Sequence, residues 1–441
     1  MDGIILPNDA NLPGLWLARA ATIFFSLITL ALVYRLASDL AGRAAGLTAT
    51  VLYIAAPYLL FYERLVLIDT YVMTFGLLAI WAALRLRTRV RASDALLCGM
   101  ALVGGLGAKG TGIVFAVIPL LAVAFLVPVR QWLTRSMLRW LALCYGIFAL
   151  IWLPLYLLLR WRKIDYFGLA GTLSNTNAAT DVIGRLVSNL GQTWQIDAIY
   201  FSTIGLLILL GLAIYWLLRQ PRTAAYVLLC LVIPTVAIIL LSPNVRSRYI
   251  VYHVPLLIIA ASVGTQIARR WLEQRFTVLS VRSVSVLLLA GWLMLVFAPF
   301  YNTLVNDPAA LVLPPADRGE YVSADSAGFA LPELAAYFAD RTSVQPAQVI
   351  GLLANCRSLR LYFAAAEQMT LECPLIAWDG SYQQQIAALV NQRASESTAN
   401  LYLIVENLPY VSTTGITAVL QPLTTIARPD GNSRLTIYQL R

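Results

Sequence analysis

The chain has 441 residues, 59% of them hydrophobic and 12% charged, with a formal net charge of +10. Soluble globular domains carry about 25% charged residues, so this composition excludes a soluble enzyme and indicates a polytopic membrane protein whose surroundings are membrane lipids. Nothing in it indicates a nucleic-acid partner. The single histidine, His253, excludes a multi-histidine metal site, and the five cysteines show no C-x-x-C spacing.

Charge is distributed unevenly along the chain. Up to residue 304 there are 24 basic and 10 acidic side chains; from 305 onward there are 8 and 12. The change divides a transmembrane domain, residues 1–304, from a C-terminal domain, residues 305–441. A membrane-crossing helix needs about 20 apolar residues. In chain order, apolar runs predict ten spans: 15–36, 44–62, 66–84, 94–108, 111–128, 138–159, 200–218, 223–242, 250–268 and 281–300. Cys98, Cys144 and Cys230 lie within such runs and read as small core residues.

Arginines set the orientation. The loops after odd-numbered spans hold Arg35 and Arg43; Arg85, Arg87, Arg89 and Arg91; Arg130, Arg135 and Arg139; Arg219 and Arg222; and Arg269, Arg270, Arg275 and Arg282. The short loops on the other side hold Arg64, Lys109, Arg246 and Arg248. The arginine-rich side is predicted to be cytoplasmic. Ten spans then place both termini outside, and with them an insert, residues 160–199, whose mixed polar and aromatic composition suits interfacial helices. An outside N-terminus on "MDGIILPNDANLPG" has no span before it, so a missing upstream helix is expected.

The C-terminal 305–441 alternates β-type runs ("QVIGLLA", "LYLIVEN", "RLTIYQL") with helical stretches ("LPELAAYFADR", "SYQQQIAALVNQR"). It is predicted to be a small extracytoplasmic α/β domain. Cys356 and Cys373 fall here, and a disulfide between them is open.

Candidate site residues cluster on the outer side. In "YERLVLIDTY", Glu63 and Arg64 suit a hairpin reaching toward the interface, but Asp69 lies within an apolar stretch and is too short to do so. An ion pair with Arg64 is one reading of Asp69; a site carboxylate facing a polar cavity is the preferred one. Lys109, in "GGLGAKGTG", is one of two lysines beside thirty arginines. Its ammonium suits a phosphate, although the spacing is not that of a nucleotide P-loop. In "SPNVRSRYIVYH", paired Arg246 and Arg248 suit phosphate recognition, with Tyr249 and Tyr252 beside them. His253 reads more simply as hydrogen-bonded structure than as a ligand. Asp165, Asp181 and Asp197 read as solvated loop acids.

The run from "LARAATIFF" to "LLAIWAALR" resembles the GT-C glycosyltransferases of the protein O-mannosyltransferase and aminoarabinose transferase group. The likeness rests on Arg19, "AGRAAGL", the Arg64–Asp69 spacing, "AKGTG" at Lys109, "RSRYIVYHVP" at Arg248 and Tyr249, and "SADSAGFALPELAAYFAD". The resemblance implies an enzyme that moves a sugar from a polyprenyl-phosphate donor to a lipid, glycan or protein acceptor by inverting displacement, with a carboxylate taking the acceptor proton and cations stabilising the phosphate leaving group. It also implies a possible divalent metal. The family's first outer loop carries an Asp-Glu pair, the Asp being the base. Here the chain begins after that position, and Asp2 and Asp9 lack a neighbouring Glu. The primary base is therefore expected upstream of Met1, with Asp69 as a supporting acid and Arg64, Lys109, Arg246, Arg248 and Tyr249 as substrate-binding residues. Two other functions remain open at this stage: a flippase or transporter of a lipid-linked precursor, and a truncated, non-catalytic remnant.

Overall fold

The computed structural model describes residues 12–162, 182–242, 245–276, 278–325, 327–342, 346–363, 369–376, 382–397, 400–431 and 433–440. Packing divides the chain into two units, one spanning Ala18–Val312 and one built on Leu313–Arg441.

Every predicted span falls on helix. In the first unit these are α1 (Leu12–Ala41), α2 (Arg43–Ile54), α3 (Pro57–Glu63), α4 (Asp69–Leu84) and α5 (Ala92–Ala108). A 3-10 helix, Gly110–Val117, runs into α6 (Ile118–Leu126) and is followed by α7 (Arg135–Trp161). Beyond the insert come α8 (Val182–Phe201), α9 (Thr203–Arg219), α10 (Pro221–Leu241), the short α11 (Ser247–Ile250), α12 (His253–Glu273), α13 (Val278–Trp292) and α14 (Ala298–Asn306).

Among the described residues, five of these helical segments are long and apolar enough to cross a membrane unbroken, and two more runs do so as bent pairs. The reasons are local. Pro57 opens α3 and bends it 62° from α2. Ser202 takes a positive φ of 58° and caps α9 by accepting from the Gly205 amide, turning α8 104° from α9. Lys109 is extended and ends α5. The carbonyl freed at the α2–α3 break is not wasted: Ala55 O accepts from the Trp292 indole at 3.2 Å.

Helix α12 is the centre of the bundle, with every residue from His253 to Gly264 buried. At Gly264 a Cβ would lie 2.1 Å from the Leu212 carbonyl, so α9 and α12 cross at backbone distance, the small-residue contact by which membrane helices pack. Cys98, Cys144 and Cys230 are buried and free. By contrast, α7 exposes Leu150, Leu153 and Leu157, a face suited to lipid. The arginine-rich turn after α4 is fixed by Asp94, which is buried and paired with Arg85 at 2.9 Å and Arg89 at 3.4 Å.

The second unit holds a five-stranded sheet in the order β2-β1-β3-β5-β4. Its strands are β1 (Ala347–Leu352), β2 (Met369–Glu372), β3 (Asn400–Glu406), β4 (Leu420–Ala427) and β5 (Arg434–Leu440). β1 pairs in parallel with β2 and β3, while β5 runs antiparallel to β3 and β4. Strand alternation feeds two cores. Val349 and Ile404 pack with Leu334 and Phe338 of α15 (Leu331–Thr342) and Leu359 of α16 (Cys356–Phe363); Ile350 and Leu403 pack with Ile386 and Val390 of α17 (Gln383–Glu396). The edge strands β2 and β4 have no counterparts among the predicted strands; β2 is only four residues long. β4 is mostly exposed and interrupted by Pro422, so it lacks an apolar pattern.

Cys356, at the start of α16, is disulfide-bonded to Cys373, just after β2, across 17 residues. Glu406 and Arg428 form a fully buried ion pair at 2.8 Å, and Ser433 and the Ala354 amide also donate to Glu406.

Replacing Cys356 and Cys373 together with Ser is expected to cost the C-terminal unit about 2–4 kcal/mol, from the loop the bond closes. Chemical denaturation followed by a probe in that unit measures this; unchanged unfolding midpoints would show that the bond contributes nothing.

Candidate functional site

Helices α4 and α5 form an antiparallel hairpin whose arginine-rich end is tied by Asp94. Asp69 and Lys109 lie at its other end. Asp69 is the first residue of α4, where a carboxylate is favoured by the helix dipole, yet it is only 8% exposed. A buried carboxylate needs a partner. Lys109 supplies it: the ammonium donates to Asp69 Oδ1 at 2.6 Å.

The glycines around Lys109 explain how it arrives there. Gly112 N donates to Lys109 O at 2.8 Å, and a Cβ on Gly112 would lie 2.2 Å from the Gly105 carbonyl. Gly112 therefore lets the 3-10 helix fold back on the end of α5, and the extended Lys109 between them turns toward Asp69. At this glycine the close approach is to backbone.

Arg248 and Tyr249 reach the same place from α11. The Lys109 ammonium sits 4.6 Å from the centre of the Tyr249 ring, and the Arg248 guanidinium 5.3 Å from it, both within cation–π range. Asp69, Arg248 and Tyr249 line one narrow cleft with Thr111, Phe115 and Tyr252 among others, leaving about 10 Å³ of free space, room for about one water. Among the described residues, two cations and one carboxylate meet here. A larger and almost wholly apolar cavity of about 610 Å³ lies elsewhere in the unit, between α2, α9, α12 and α13, and is lined by Leu52, Leu209, Leu212 and Trp292 among others.

Thus four of the predicted residues, Asp69, Lys109, Arg248 and Tyr249, come together. Arg64 does not join them. The anticipated Arg64–Asp69 pair is corrected: Asp69 pairs with Lys109, while Arg64 caps α3 with its guanidinium 5.1 Å from the Phe61 ring centre. The turn from Leu65 to Ile68 separates the two. Arg246 is exposed at the N-terminus of α11, where its carbonyl accepts from the Tyr249 amide at 2.9 Å. Glu63 faces into the bundle and accepts from the Tyr53 hydroxyl.

One arrangement was missed. Asp197, expected to be solvated, is buried on α8 and faces His253, whose Nε2 lies 3.1 Å from both carboxylate oxygens. Its signal in the sequence was the apolar flank "QIDAIYF", which a solvated acid does not need. Asp2, Asp9, Asp165 and Asp181 lie outside the described residues.

Among the described residues, the donor set at the cleft does not fit a resident divalent cation. Among the described residues no three of His, Cys, Asp and Glu gather to hold a metal, and the carboxylate of the cleft is engaged by an ammonium.

Residues 13–156 match the family model of dolichyl-phosphate-mannose-protein mannosyltransferase. Among solved structures, ArnT from Cupriavidus metallidurans bound to undecaprenyl phosphate is similar in fold, with a TM-score of 0.56 over 96% of this chain and 84% of that chain, at 15% identity. The apo state of ArnT from the same organism gives 0.53, with 96% and 83% covered, at 13% identity. By fold, this chain is similar to these ArnT structures. A search of curated proteins gave no match. The family match spans α1 to most of α7 and so includes Asp69 and Lys109; Arg248 and Tyr249 lie beyond it, and tertiary structure joins them to those two residues.

Lys109→Met leaves Asp69 buried without a counter-charge. The expected cost is about 2–3 kcal/mol, below the 3–5 of a fully buried pair because a fifth of the lysine side chain stays exposed. Asp69→Asn in the same chain should recover most of it. Thermal unfolding in detergent tests this; equal losses from Lys109→Met with and without Asp69→Asn would show that the pair carries no stability.

Proposed function

We propose that this chain is a membrane glycosyltransferase that takes its sugar from a polyprenyl-phosphate donor, with Lys109 and Arg248 holding the lipid phosphate. The observation that carries this reading is the meeting of both cations at the Tyr249 ring, with the Asp69 carboxylate bonded to one of them. The family match and the GT-C fold support the reaction class. The likeness to an ArnT structure that holds undecaprenyl phosphate supports the donor class.

On this reading the phosphate enters the cleft and competes with Asp69 for the Lys109 ammonium. Arg248 offers a planar fork to two phosphate oxygens. As the bond from the anomeric carbon to the phosphate oxygen breaks, negative charge grows on that oxygen, and the two cations stabilise it more than they stabilise the ground state. No strong general acid is then needed for the leaving group. Asp69 steadies Lys109 between turnovers and is a supporting acid. The acceptor proton passes to a base outside this cluster.

Placement of the cleft and the C-terminal unit on the non-cytoplasmic side belongs to the same proposal. It is supported by the arginine asymmetry of the loops and by the disulfide Cys356–Cys373, which forms in oxidising compartments. The acceptor and the sugar are left as classes: a lipid, glycan or protein hydroxyl or amine, and a pentosyl or hexosyl group.

Binding of undecaprenyl phosphate to the purified protein tests the phosphate site. Lys109→Ala and Arg248→Ala should each weaken binding about 10- to 100-fold, as loss of a hydrogen bond to a charged group implies. Release of sugar from a polyprenyl-phosphate donor in membranes should fall strongly for Asp69→Asn while insertion is retained. Wild-type affinity in both cation variants would remove the phosphate from this cleft.

A further inference from the structure

Arg248 and Tyr249 stand on α11, a helix of four residues. So short a helix cannot hold itself in place, since its nucleation cost is never recovered by propagation. Its position has to be set from outside, and among the described residues the side-chain hydrogen bonds to its two end carbonyls both trace back to α8. At its first residue, the Ser247 carbonyl accepts from the Tyr58 hydroxyl at 2.8 Å. Tyr58 is stacked on Tyr200 of α8, with ring centres 4.3 Å apart and planes 13° from parallel. At its last residue, the Ile250 carbonyl is held by His253 Nδ1. The other nitrogen of that ring, Nε2, lies 3.1 Å from both oxygens of Asp197, also on α8.

Asp197 and Tyr200 are three residues apart and so share a face of α8. One helix face therefore grips both ends of α11. The gripped residues, Ser247 and Ile250, are wholly buried, whereas Arg248 and Tyr249 between them are half-buried and reach the cleft. The same α8 also fixes the end of α10, where Asn189 donates to the carbonyls of Ile239 at 2.9 Å and Ser242 at 3.0 Å. Donor accounting strengthens the His253 contact. Both ring nitrogens face acceptors, a carbonyl and a carboxylate, and an imidazolium satisfies both while pairing its charge with Asp197.

We propose that Asp197 and His253, with Tyr58 and Tyr200, form a two-ended clamp through which α8 sets the position of Arg248 and Tyr249. Asp197 and His253 are positioning residues that act through α11. Their effect on donor binding rests on the phosphate reading above; the clamp itself does not.

Two measurements on the full-length protein in detergent separate these claims. The first is hydrogen exchange of the backbone amides from Ser247 to Val254. Asp197→Ala and His253→Ala should speed it about tenfold or more, with α4 and α5 unchanged, because a local opening free energy has dropped. The paired amides Asp197→Asn with His253→Gln, which restore a donor facing an acceptor, should return it to within about threefold of wild type. The second is affinity for undecaprenyl phosphate. Asp197→Ala should weaken it about fivefold or more, and the loss should vanish when Arg248 is already Ala, since both changes act through one group. Unchanged exchange at 247–254 overturns the clamp, and so does a loss of affinity that adds in full to that of Arg248→Ala. If either single variant does not fold, the paired amides carry both measurements, and exchange tenfold faster in them overturns the proposal. If undecaprenyl phosphate does not bind the wild type, the phosphate reading fails and the exchange result alone decides the clamp.

Discussion

The cleft depends on one constraint: a carboxylate buried at the start of a membrane helix must be met by a cation. Asp69 is held at the first turn of α4 by the run that makes α4 a span, and the fold must then bring an ammonium to it. That requirement shapes its surroundings. It sets where α5 stops and why Lys109 is extended. It also gives the close return of the 3-10 helix, with Gly112 against the Gly105 carbonyl, a purpose beyond packing. The Tyr249 ring then lies 4.6 Å from the ammonium, and the Arg248 guanidinium lies 5.3 Å from the same ring centre. An ion pair that begins as a remedy for burial thus gathers the cations that a phosphate would need.

The same arrangement sets a conflict between stability and binding. With about 10 Å³ free, the cleft beside the pair has little room. On the proposed function, a phosphate enters only by taking over part of the Lys109 interaction with Asp69, so the resting protein is stabilised by the contact its ligand must displace. Sites of this kind trade stability for activity. The arrangement is reversible because Asp69 keeps its place at the helix terminus, where the dipole continues to favour its charge.

Much of this was readable from residue order, and the limits are physical. That the apolar runs are helical followed from hydropathy, though the described residues hold five unbroken crossing helices and two bent pairs where ten spans were expected; the three central strands followed from alternation. The edge strands β2 and β4 did not, because four residues are too few to show a period and a strand with Pro422 has no apolar period to read. Asp69 was legible because its apolar flanks made its charge costly. Its partner was misread because Arg64 is near in sequence, whereas Lys109 is 40 residues away and is delivered by the α4–α5 hairpin. The bends at Pro57 and Ser202 hide in runs of unbroken hydrophobicity. The Asp197–His253 contact joins residues 56 apart. A lone acid and a lone histidine on two apolar helices carry no mutual signal, although each by itself called for a partner.

A structure determined with undecaprenyl phosphate bound tests the central idea most directly. The phosphate is expected within hydrogen-bonding distance of Lys109 Nζ and the Arg248 guanidinium, with the Asp69–Lys109 contact lengthened and the Tyr249 ring beside it. A phosphate bound elsewhere, with the Asp69–Lys109 pair intact and the cleft still closed, would contradict it.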